Sequence, residues 1–332
     1  MTNIEWTQRP GTTGETWNPI RARRRTTGKV GWACVKVSPG CTHCYAERQN
    51  QAAARGGTGL PYTVGALDDV EAFLDERTLA QPLHWAAPRT VFVCSMTDLF
   101  GEWVPEDWVD RIFAVMALSP QHTYQCLTKR PERMRAYLAD VNTRMGLIEG
   151  RAKRLLREQS GDPMKPVLVG KTLVGTWPWP SVWLGVSAED QSRADERIPI
   201  LLDTPAAVRF VSMEPLLEVV DWPAACGCRG FHRENCIDWV ICGGESGPGA
   251  RPLDVSWARS IRGQCASAKI AFFMKQVGAH PCFRLDDEER HGNPAPTFDH
   301  AHGDLFCKRL SDRKGGDPAE WPEDLRVREW PR

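Results

Sequence analysis

Short apolar runs recur along the chain, and each is followed by polar or charged residues. The six clearest runs are rich in β-branched and aromatic residues and cover residues 90–94, 124–127, 182–186, 208–211, 239–242 and 270–274. Continuous apolar runs of this length are typical of strands that are buried on both faces of a parallel sheet. A further, poorly marked strand is expected before Cys34, which gives about six or seven strands.

Helical patterns fall between these runs. Residues 106–118, 131–141 and 255–268 have apolar side chains at spacings of three and four, which predicts amphipathic helices. Alternating strands and helices predict an α/β fold with right-handed crossovers. The strand count favours a partial β/α barrel with insertions, and an open doubly wound sheet is the alternative.

The residues that follow the predicted strands form a candidate site. In β/α barrels the loops after the carboxyl ends of the strands lie on one face and carry the active site. Helix N-caps explain serine and threonine at these positions, but they do not explain the charged residues. The candidates are Ser95, Thr97, Asp98, Lys129, Arg130, Ser187, Glu189, Glu214, Gly243, Gly244, Glu245 and Lys275.

Three cysteines lie close together in the sequence. Cys34, Cys41 and Cys44 form a C-x6-C-x2-C pattern, with a turn predicted at residues 39–40. Three thiolates can bind three irons of a 4Fe–4S cluster and leave the fourth iron open. A structural zinc site normally needs a fourth ligand, which His43 or a distant cysteine would supply. The spacing alone leaves both the cluster and zinc open.

The charge composition argues against a uniformly basic nucleic-acid-binding protein. The 332 residues include 42 Lys+Arg and 42 Asp+Glu, so no global positive field is expected. Two local exceptions are residues 21–25, which include Arg24, and residues 151–154. Either stretch can contact phosphates, and a solvated surface loop is the alternative for the first.

The chain contains twelve cysteines. No apolar run reaches the roughly 18 residues needed to span a bilayer, and the N-terminus has no signal-peptide pattern. A cytoplasmic protein without membrane partners is therefore expected, and its thiols should be reduced rather than form a disulfide framework. Cys94, Cys126 and Cys242 are predicted to be buried apolar residues, and Cys282 and Cys307 have no evident partners.

The predicted domain organisation is one barrel with additions. Residues 1–280 form the barrel, with insertions at about residues 144–180 and 222–236, and residues 281–332 form a C-terminal extension. The second insertion contains four possible zinc ligands, which are Cys226, Cys228, His232 and Cys236. This spacing is sufficient for a structural zinc site, and a surface loop with unpaired thiols is the alternative.

Several motifs together resemble a known family. They are SPGCTHCYAE, FVCSMTDLF, LTKRPERM, VWLGVSAEDQ, FVSMEPLL, DWVICGGESGPGARP and FFMKQVG. In this order they resemble a family of phage- and prophage-encoded proteins described as radical-SAM-like, over nearly the whole chain to about Gly278. The chain departs from the commonest radical-SAM pattern in two ways. Its first cysteine spacing is six residues instead of three, and its Gly-Gly-Glu motif occurs late, at residues 243–245.

The resemblance implies a specific chemistry. It implies a partial β/α barrel that binds a 4Fe–4S cluster through Cys34, Cys41 and Cys44, with S-adenosylmethionine at the open iron. An electron from an external donor such as flavodoxin or ferredoxin would cleave this cofactor to methionine and a 5′-deoxyadenosyl radical. The protein itself would supply positioning and shielding.

Roles for the candidate residues follow from this hypothesis. Cofactor binding is expected from Ser95, Thr97, Asp98, Ser187, Glu189, Gly243 and Gly244. Glu214, Glu245 and Lys275 are expected to face the substrate, and Lys129, Arg130 and Arg24 to bind a phosphate or carboxylate. A nucleic-acid base or nucleotide is the favoured substrate, with peptides and small metabolites also open. The alternatives are a zinc-containing nucleic-acid-binding protein without radical chemistry and a metal-dependent hydrolase.

Overall fold

The computed structural model describes residues 2, 4–52, 56–160, 174–227, 236–284, 300–302 and 305–331, without the side chains of residues 159, 160 and 300–302. The chain divides into two compact units. The first comprises Met1–Lys36, Ala46–Leu184 and Asp203–Ala207, and the second comprises Val37–Tyr45, Gly185–Leu202 and Val208–Arg332.

The strands are β1 (Thr13–Trp17), β2 (Ile20–Arg24), β3 (Val30–Gly31), β4 (Val70–Leu74), β5 (Arg89–Val93), β6 (Thr123–Thr128), β7 (Val182–Ser187), β8 (Val208–Met213), β9 (Trp239–Gly243), β10 (Leu253–Asp254), β11 (Ala271–Gln276), β12 (Pro281–Phe283), β13 (His300–His302) and β14 (Leu305–Cys307). The α-helices are α1 (Tyr45–Gln51), α2 (Val64–Asp68), α3 (Glu76–Leu79), α4 (Glu106–Leu118), α5 (Pro131–Tyr137), α6 (Val141–Ser160), α7 (Gln191–Leu202), α8 (Trp222–Ala225) and α9 (Val255–Ala268). None of the described helices combines the length and the apolar character needed to cross a bilayer.

Seven strands form the main sheet in the order β1-β5-β6-β7-β8-β9-β11, and all are parallel. The order follows the chain without the reversal that marks a doubly wound sheet. The prediction of an α/β fold of the partial β/α barrel type is therefore confirmed. All six apolar runs are strands, and every residue of β7 and of β9 is buried, as expected for strands covered on both faces.

The poorly marked first strand is β1, whose sequence TGETW has only two fully buried residues, Gly14 and Trp17. It pairs in parallel with β5. The basic residues that follow are part of a second, three-stranded sheet with the order β3-β2-β4. The interpretation of residues 21–25 as a solvated loop is therefore wrong for most of this stretch, because residues 20–24 form strand β2.

The predicted insertion after residue 144 begins inside helix α6. Ion pairs attach this helix to α4, because Arg144 contacts Glu106 at 2.8 Å and Asp110 at 3.0 Å, and Arg151 contacts Asp107 at 2.6 Å. The basic residues of α6 thus have carboxylate partners, which explains how a helix of low hydrophobicity packs here. Residues 161–173 of the predicted insertion lie outside the described residues.

The second unit contains a four-stranded sheet in the order β10-β12-β14-β13. Cys282 of β12 lies opposite Cys307 of β14 in this sheet, and the two form a disulfide. The expectation that these cysteines have no partners is wrong, because antiparallel pairing brings together residues that are 25 positions apart. Periodicity could not reveal this pairing, since strands of three residues are too short to show it.

The C-terminal segment pairs with β11, the last strand of the main sheet. Met274 N donates to Val327 O at 2.8 Å, and Glu329 N donates to Phe272 O at 2.9 Å. The ring of Trp330 packs edge-on against Phe273 at 5.1 Å. The outer backbone groups of β11 are therefore partly satisfied by this segment, as edge strands usually require.

Candidate functional site

The three neighbouring cysteines lie in residues 33–44, which we call the cysteine loop. Residues 33–36 belong to the first unit and residues 37–44 to the second. A short 3-10 helix, Pro39–Cys41, forms part of the loop, and α1 begins immediately after Cys44. The side chains of Cys34, Cys41 and Cys44 are all partly exposed.

Among the described residues, four other cysteines are buried free thiols, and burial raises the pKa of each of them. They stay protonated at neutral pH and have the character of inert structural residues. The prediction that cysteines within apolar runs are buried is thus confirmed. These residues are Cys94, Cys126, Cys242 and Cys265.

In the first unit, side chains that follow two strands bind the backbone around Cys34. Thr97, after β5, donates its hydroxyl proton to Ala33 O at 2.6 Å. Arg130, after β6, donates from Nη2 to Val35 O at 3.1 Å. These two carbonyls flank Cys34, so the backbone is fixed on both sides of the cysteine through groups other than its thiol.

The carboxylate of Asp98 is buried and accepts four hydrogen bonds. Oδ1 accepts from Phe100 N at 3.0 Å and from the Thr128 hydroxyl at 2.7 Å. Oδ2 accepts from Lys129 N and from Arg130 Nη1, both at 3.1 Å. These contacts support a role in orienting Arg130, and the predicted contact of Asp98 with the cofactor stays a prediction.

Arg130 has three further contacts. Its Nε donates to both carboxylate oxygens of Glu102, at 3.0 and 2.8 Å, and its guanidinium stacks over Trp103 at 4.8 Å. Burial lowers the pKa of Arg130, but Asp98, Cys34 and Glu102 raise it, and the net shift is upward. Arg130 therefore keeps a positive charge close to Cys34, which suits an anionic sulfur ligand.

In the second unit, Glu189 reaches the cysteine loop from the end of β7. Its Oε1 accepts a hydrogen bond from Gly40 N at 3.0 Å, and its Oε2 lies 3.3 Å from Nη1 of Arg197. A Cβ atom at Gly40 would lie only 2.9 Å from Oε1 and Cδ of Glu189. The close approach of this fully buried carboxylate therefore requires glycine at position 40.

Glu245, after β9, acts on the same part of the loop through Arg251. Arg251 donates to the two oxygens of Glu245 from Nη2 at 2.7 Å and from Nε at 3.0 Å. Its Nη2 also donates to Pro39 O at 3.0 Å. Burial raises the pKa of Glu245, but the hydrogen bonds and charge of Arg251 lower it more, so the carboxylate is ionised.

Glu214 and Lys275 form a separate ion pair at the ends of β8 and β11. Lys275 Nζ lies 2.5 Å from Glu214 Oε1. The register between β9 and β11 shifts next to Lys275, and such a bulge re-aims a side chain. Their side chains are 16% and 17% exposed, whereas those of Glu189 and Glu245 are 0% and 5% exposed. Glu214 and Lys275 are therefore the more accessible of these charged residues.

The remaining candidates lie in local hydrogen-bond networks. Ser95 contacts Asn18, whose Nδ2 donates to Ser95 Oγ at 3.1 Å. Ser187 is buried, and its carbonyl accepts from Arg197 Nη1 at 2.9 Å. A Cβ at Gly244 would lie 2.5 Å from Val277 O. These positions keep the strand ends closely packed, and direct contact with a cofactor stays a prediction for each of them.

Sequence reasoning missed four polar residues of this region. Asn18, Glu102, Arg197 and Arg251 orient the candidates named above. The sequence did contain a signal for Arg251, because this residue ends the glycine-rich segment GGESGPGAR, which is expected to turn. Gly247 and Gly249 there have positive φ values of 94° and 74°, which lets the chain turn back toward Glu245.

A family model for DUF5131, described as a protein of unknown function, matches residues 1–313. The chain belongs to the DUF5131 family. No curated protein and no solved structure matches the chain significantly. Residues 33–44 and all the strand ends described above lie within the matched part.

The second predicted metal site is only partly described. Cys226 and Cys236 are partly exposed, whereas Cys228 and His232 lie outside the described residues. In the described part of the chain, no three His, Cys, Asp or Glu side chains are grouped to hold a metal ion. This includes the three thiols of the cysteine loop, which are by residue type and number the ligands that a 4Fe–4S cluster with an open iron uses.

Proposed function

We propose that this protein is a radical-SAM-type enzyme in which Cys34, Cys41 and Cys44 bind a 4Fe–4S cluster. The main support is the anchoring of the cysteine loop. Its backbone is bound by three side chains that follow strands, those of Thr97, Arg130 and Glu189. Arg251, which is held by Glu245, also donates a hydrogen bond to the loop backbone. The three thiols are left partly exposed.

This anchoring favours a cofactor site over a structural zinc loop. Small zinc loops draw most of their folding free energy from the metal. Here the loop backbone is held by hydrogen bonds with Thr97, Arg130, Glu189 and Arg251, which need no bound metal. A backbone held in this way suits a cluster that must keep one iron accessible. Cys34, Cys41 and Cys44 would hold this group, which when bound would supply the single electron needed to cleave S-adenosylmethionine reductively.

The protein's own residues take distinct roles in this proposal. Glu189 and Glu245 position the loop, since their carboxylates are engaged by Gly40, Arg197 and Arg251. Glu214 and Lys275 are the proposed substrate-facing pair, with the Lys275 ammonium as donor and the Glu214 carboxylate as acceptor toward the substrate. The proposed substrate class is a nucleic-acid base or nucleotide. The proposed electron donor is flavodoxin or ferredoxin, and the proposed location is the cytoplasm.

Anaerobic reconstitution with iron and sulfide tests the proposal. The dithionite-reduced protein should give a cluster EPR signal that shifts when S-adenosylmethionine is added. Cys41→Ala should lose most of the iron and the signal. Cys226→Ala is the matched control, because it removes a partly exposed thiol outside the loop, and it should keep both.

Two outcomes would overturn the proposal. Full iron content in Cys41→Ala would show that the cluster, if formed, is bound elsewhere. Uptake of zinc in place of iron, with no EPR signal, would instead favour the zinc-containing nucleic-acid-binding protein. If the EPR shift caused by S-adenosylmethionine persists in Asp98→Asn but disappears in Glu245→Gln, Glu245 and not Asp98 would be assigned to binding this cofactor.

A further inference from the structure

The small sheet of the first unit has two chemically different faces. Ala22 of β2 and Val70 of β4 point inward and pack with Leu60 in a core cluster. The alternate residues of β2, Arg21 and Arg23, therefore point to the other face. They lie opposite Phe73 and Glu71 of β4. We call Arg21, Arg23, Trp32 and Phe73 the basic face.

Each arginine of the basic face stacks on an aromatic ring. The guanidinium of Arg21 lies 4.5 Å from the ring centroid of Trp32, and that of Arg23 lies 4.8 Å from the ring centroid of Phe73. Both rings are partly exposed. Among the described residues, Nε1 of Trp32 has no hydrogen-bond acceptor. A stacked guanidinium keeps N–H groups at its edge for an anionic partner.

The charge of this region is mainly positive. The three strands and the turn between β2 and β3 carry five positive side chains and one negative one, Glu71. Glu71 contacts Arg23 at 3.3 Å, with both side chains about half exposed, so this pair is weak and exchangeable. Asp68 and Asp69 precede β4, and Asp75 follows it, where its charge opposes the lowering of the pKa of Arg21 by burial. The positive residues are Arg21, Arg23, Arg24, Arg25 and Lys29.

We infer that the basic face binds single-stranded nucleic acid. Arginine edges meet the phosphates, and bases stack on the partly exposed aromatic rings and on the guanidinium planes. This combination of a positive surface with aromatic rings is how proteins bind single strands without sequence preference. A duplex hides its bases from such rings, and an acidic peptide has no flat rings to stack, so both fit the surface less well.

The basic face lies close in the chain to the cysteine loop. Trp32 precedes Cys34 by two residues, which places its Cα at most about 7 Å from that of Cys34. A strand bound on the face would therefore pass beside the first cysteine of the loop. The inference deepens the substrate part of the proposed function and rests on it only for that purpose, because binding itself needs no cluster.

Arg24 is excluded from the face by strand alternation. It lies on the side of Ala22, and its Nη1 would be 3.6 Å from a Cβ at Gly59. The assignment of Arg24 to a phosphate therefore passes to Arg21 and Arg23. This separation supplies a matched control, since neighbouring arginines on opposite faces can be changed in the same way.

Fluorescence anisotropy with the full chain tests the inference. The probes are labelled thymidine and uridine oligonucleotides of about 15 nucleotides, within the usual site sizes for single strands, and a duplex of the same length. Salt is varied from about 50 to 200 mM. The double variant Arg21→Gln, Arg23→Gln should flatten the salt slope for single strands by about 1.4, or 0.7 for each lost phosphate contact.

The control Arg24→Gln should leave the affinity for single strands within about twofold, because it removes the same charge from the other face. Phe73→Leu should weaken single-strand binding by about tenfold and leave duplex binding unchanged, since stacking of one base contributes about 1–3 kcal/mol. Thymidine and uridine probes distinguish DNA from RNA as the source of the strand.

Three results would overturn the inference. They are no binding of either single strand, equal loss in Arg24→Gln and in the double variant, and equal competition by polyglutamate, which would indicate charge recognition alone. Iron content and EPR are measured on the same samples. Absence of nucleic-acid binding with an intact cluster signal would contradict only the inference about the basic face. Binding without a cluster signal would contradict only the proposed radical chemistry.

Discussion

Among single residues, Asp98, Glu189 and Glu245 share an unexpected feature. Each follows a strand, as ligand-binding residues in barrels do, yet each carboxylate accepts hydrogen bonds from the protein itself. Residue type and position were predictable from the sequence. Their partners were not, because Gly40 and Arg197 are brought to Glu189 by tertiary folding alone.

Gly40→Ala tests the contact between Glu189 and the loop. The added Cβ would overlap a carboxylate that is fully buried and paired with Arg197, so neither partner can move freely. We expect a loss of about 1–3 kcal/mol in the free energy of unfolding. Faster alkylation of Cys41 should accompany it. Urea denaturation and mass spectrometry of the alkylated protein measure the two effects.

Gly263→Ala is the control for this change. Gly263 lies in α9 with nothing within 4 Å of an added Cβ, so alanine should stabilise the protein slightly. If both variants unfold at the same urea concentration, with the same alkylation rate, the contact at Gly40 does not hold the loop.

Among the elements, the helices with regular apolar spacing were the most predictable. The predicted bounds of α4 and α9 agree with the structure, and most of the apolar residues that set the spacing are buried. β2 was missed because the sequence IRARR reads as a charge run, although its alternate residues Ile20 and Ala22 are buried. The charged residues of this segment masked the alternation of buried and exposed positions that is typical of a strand.

A histidine in the turn before β6 should make the first unit sensitive to acid. His122 Nδ1 accepts from Arg89 N at 3.1 Å, and Nε2 lies 3.1 Å from Pro82 O, which requires the proton on Nε2. Burial lowers the pKa of His122, and Arg89 lowers it further, while the bond to Pro82 opposes both. The unfolded chain therefore binds this proton more readily than the folded one.

Protonation of His122 should therefore make the folded protein less stable in acid. Stability should be constant above about pH 6.5, the ordinary histidine value, and fall as the pH drops below it. Urea denaturation at about pH 7.5 and about pH 5.5 measures the difference. His122→Asn, whose Oδ1 can keep the hydrogen bond from Arg89 N without charging, should reduce the loss, whereas the same change at the exposed His84 should not. An equal loss in all three proteins would contradict the assignment.

At the scale of the whole molecule, the disulfide between Cys282 and Cys307 affects stability most directly. It closes a loop with a sequence separation of 25 residues. For such a loop the chain-entropy estimate is about 3.5 kcal/mol. Changing both cysteines to serine should lower the free energy of unfolding by about this amount.

The reduced wild-type protein serves as the control for the double serine variant, and the two should unfold at similar urea concentrations. Peptide mapping under non-reducing conditions should detect the linked pair. If oxidised and reduced protein unfold alike, the pair carries no covalent constraint.

The C-terminal segment has a consequence for self-association. Its hydrogen bonds with Phe272 and Met274 occupy backbone groups along the outer side of β11. A second molecule finds fewer free donors and acceptors for an added strand on this side. Fibre growth and strand-swapped dimers through this side are therefore disfavoured as long as residues 327–329 remain in place.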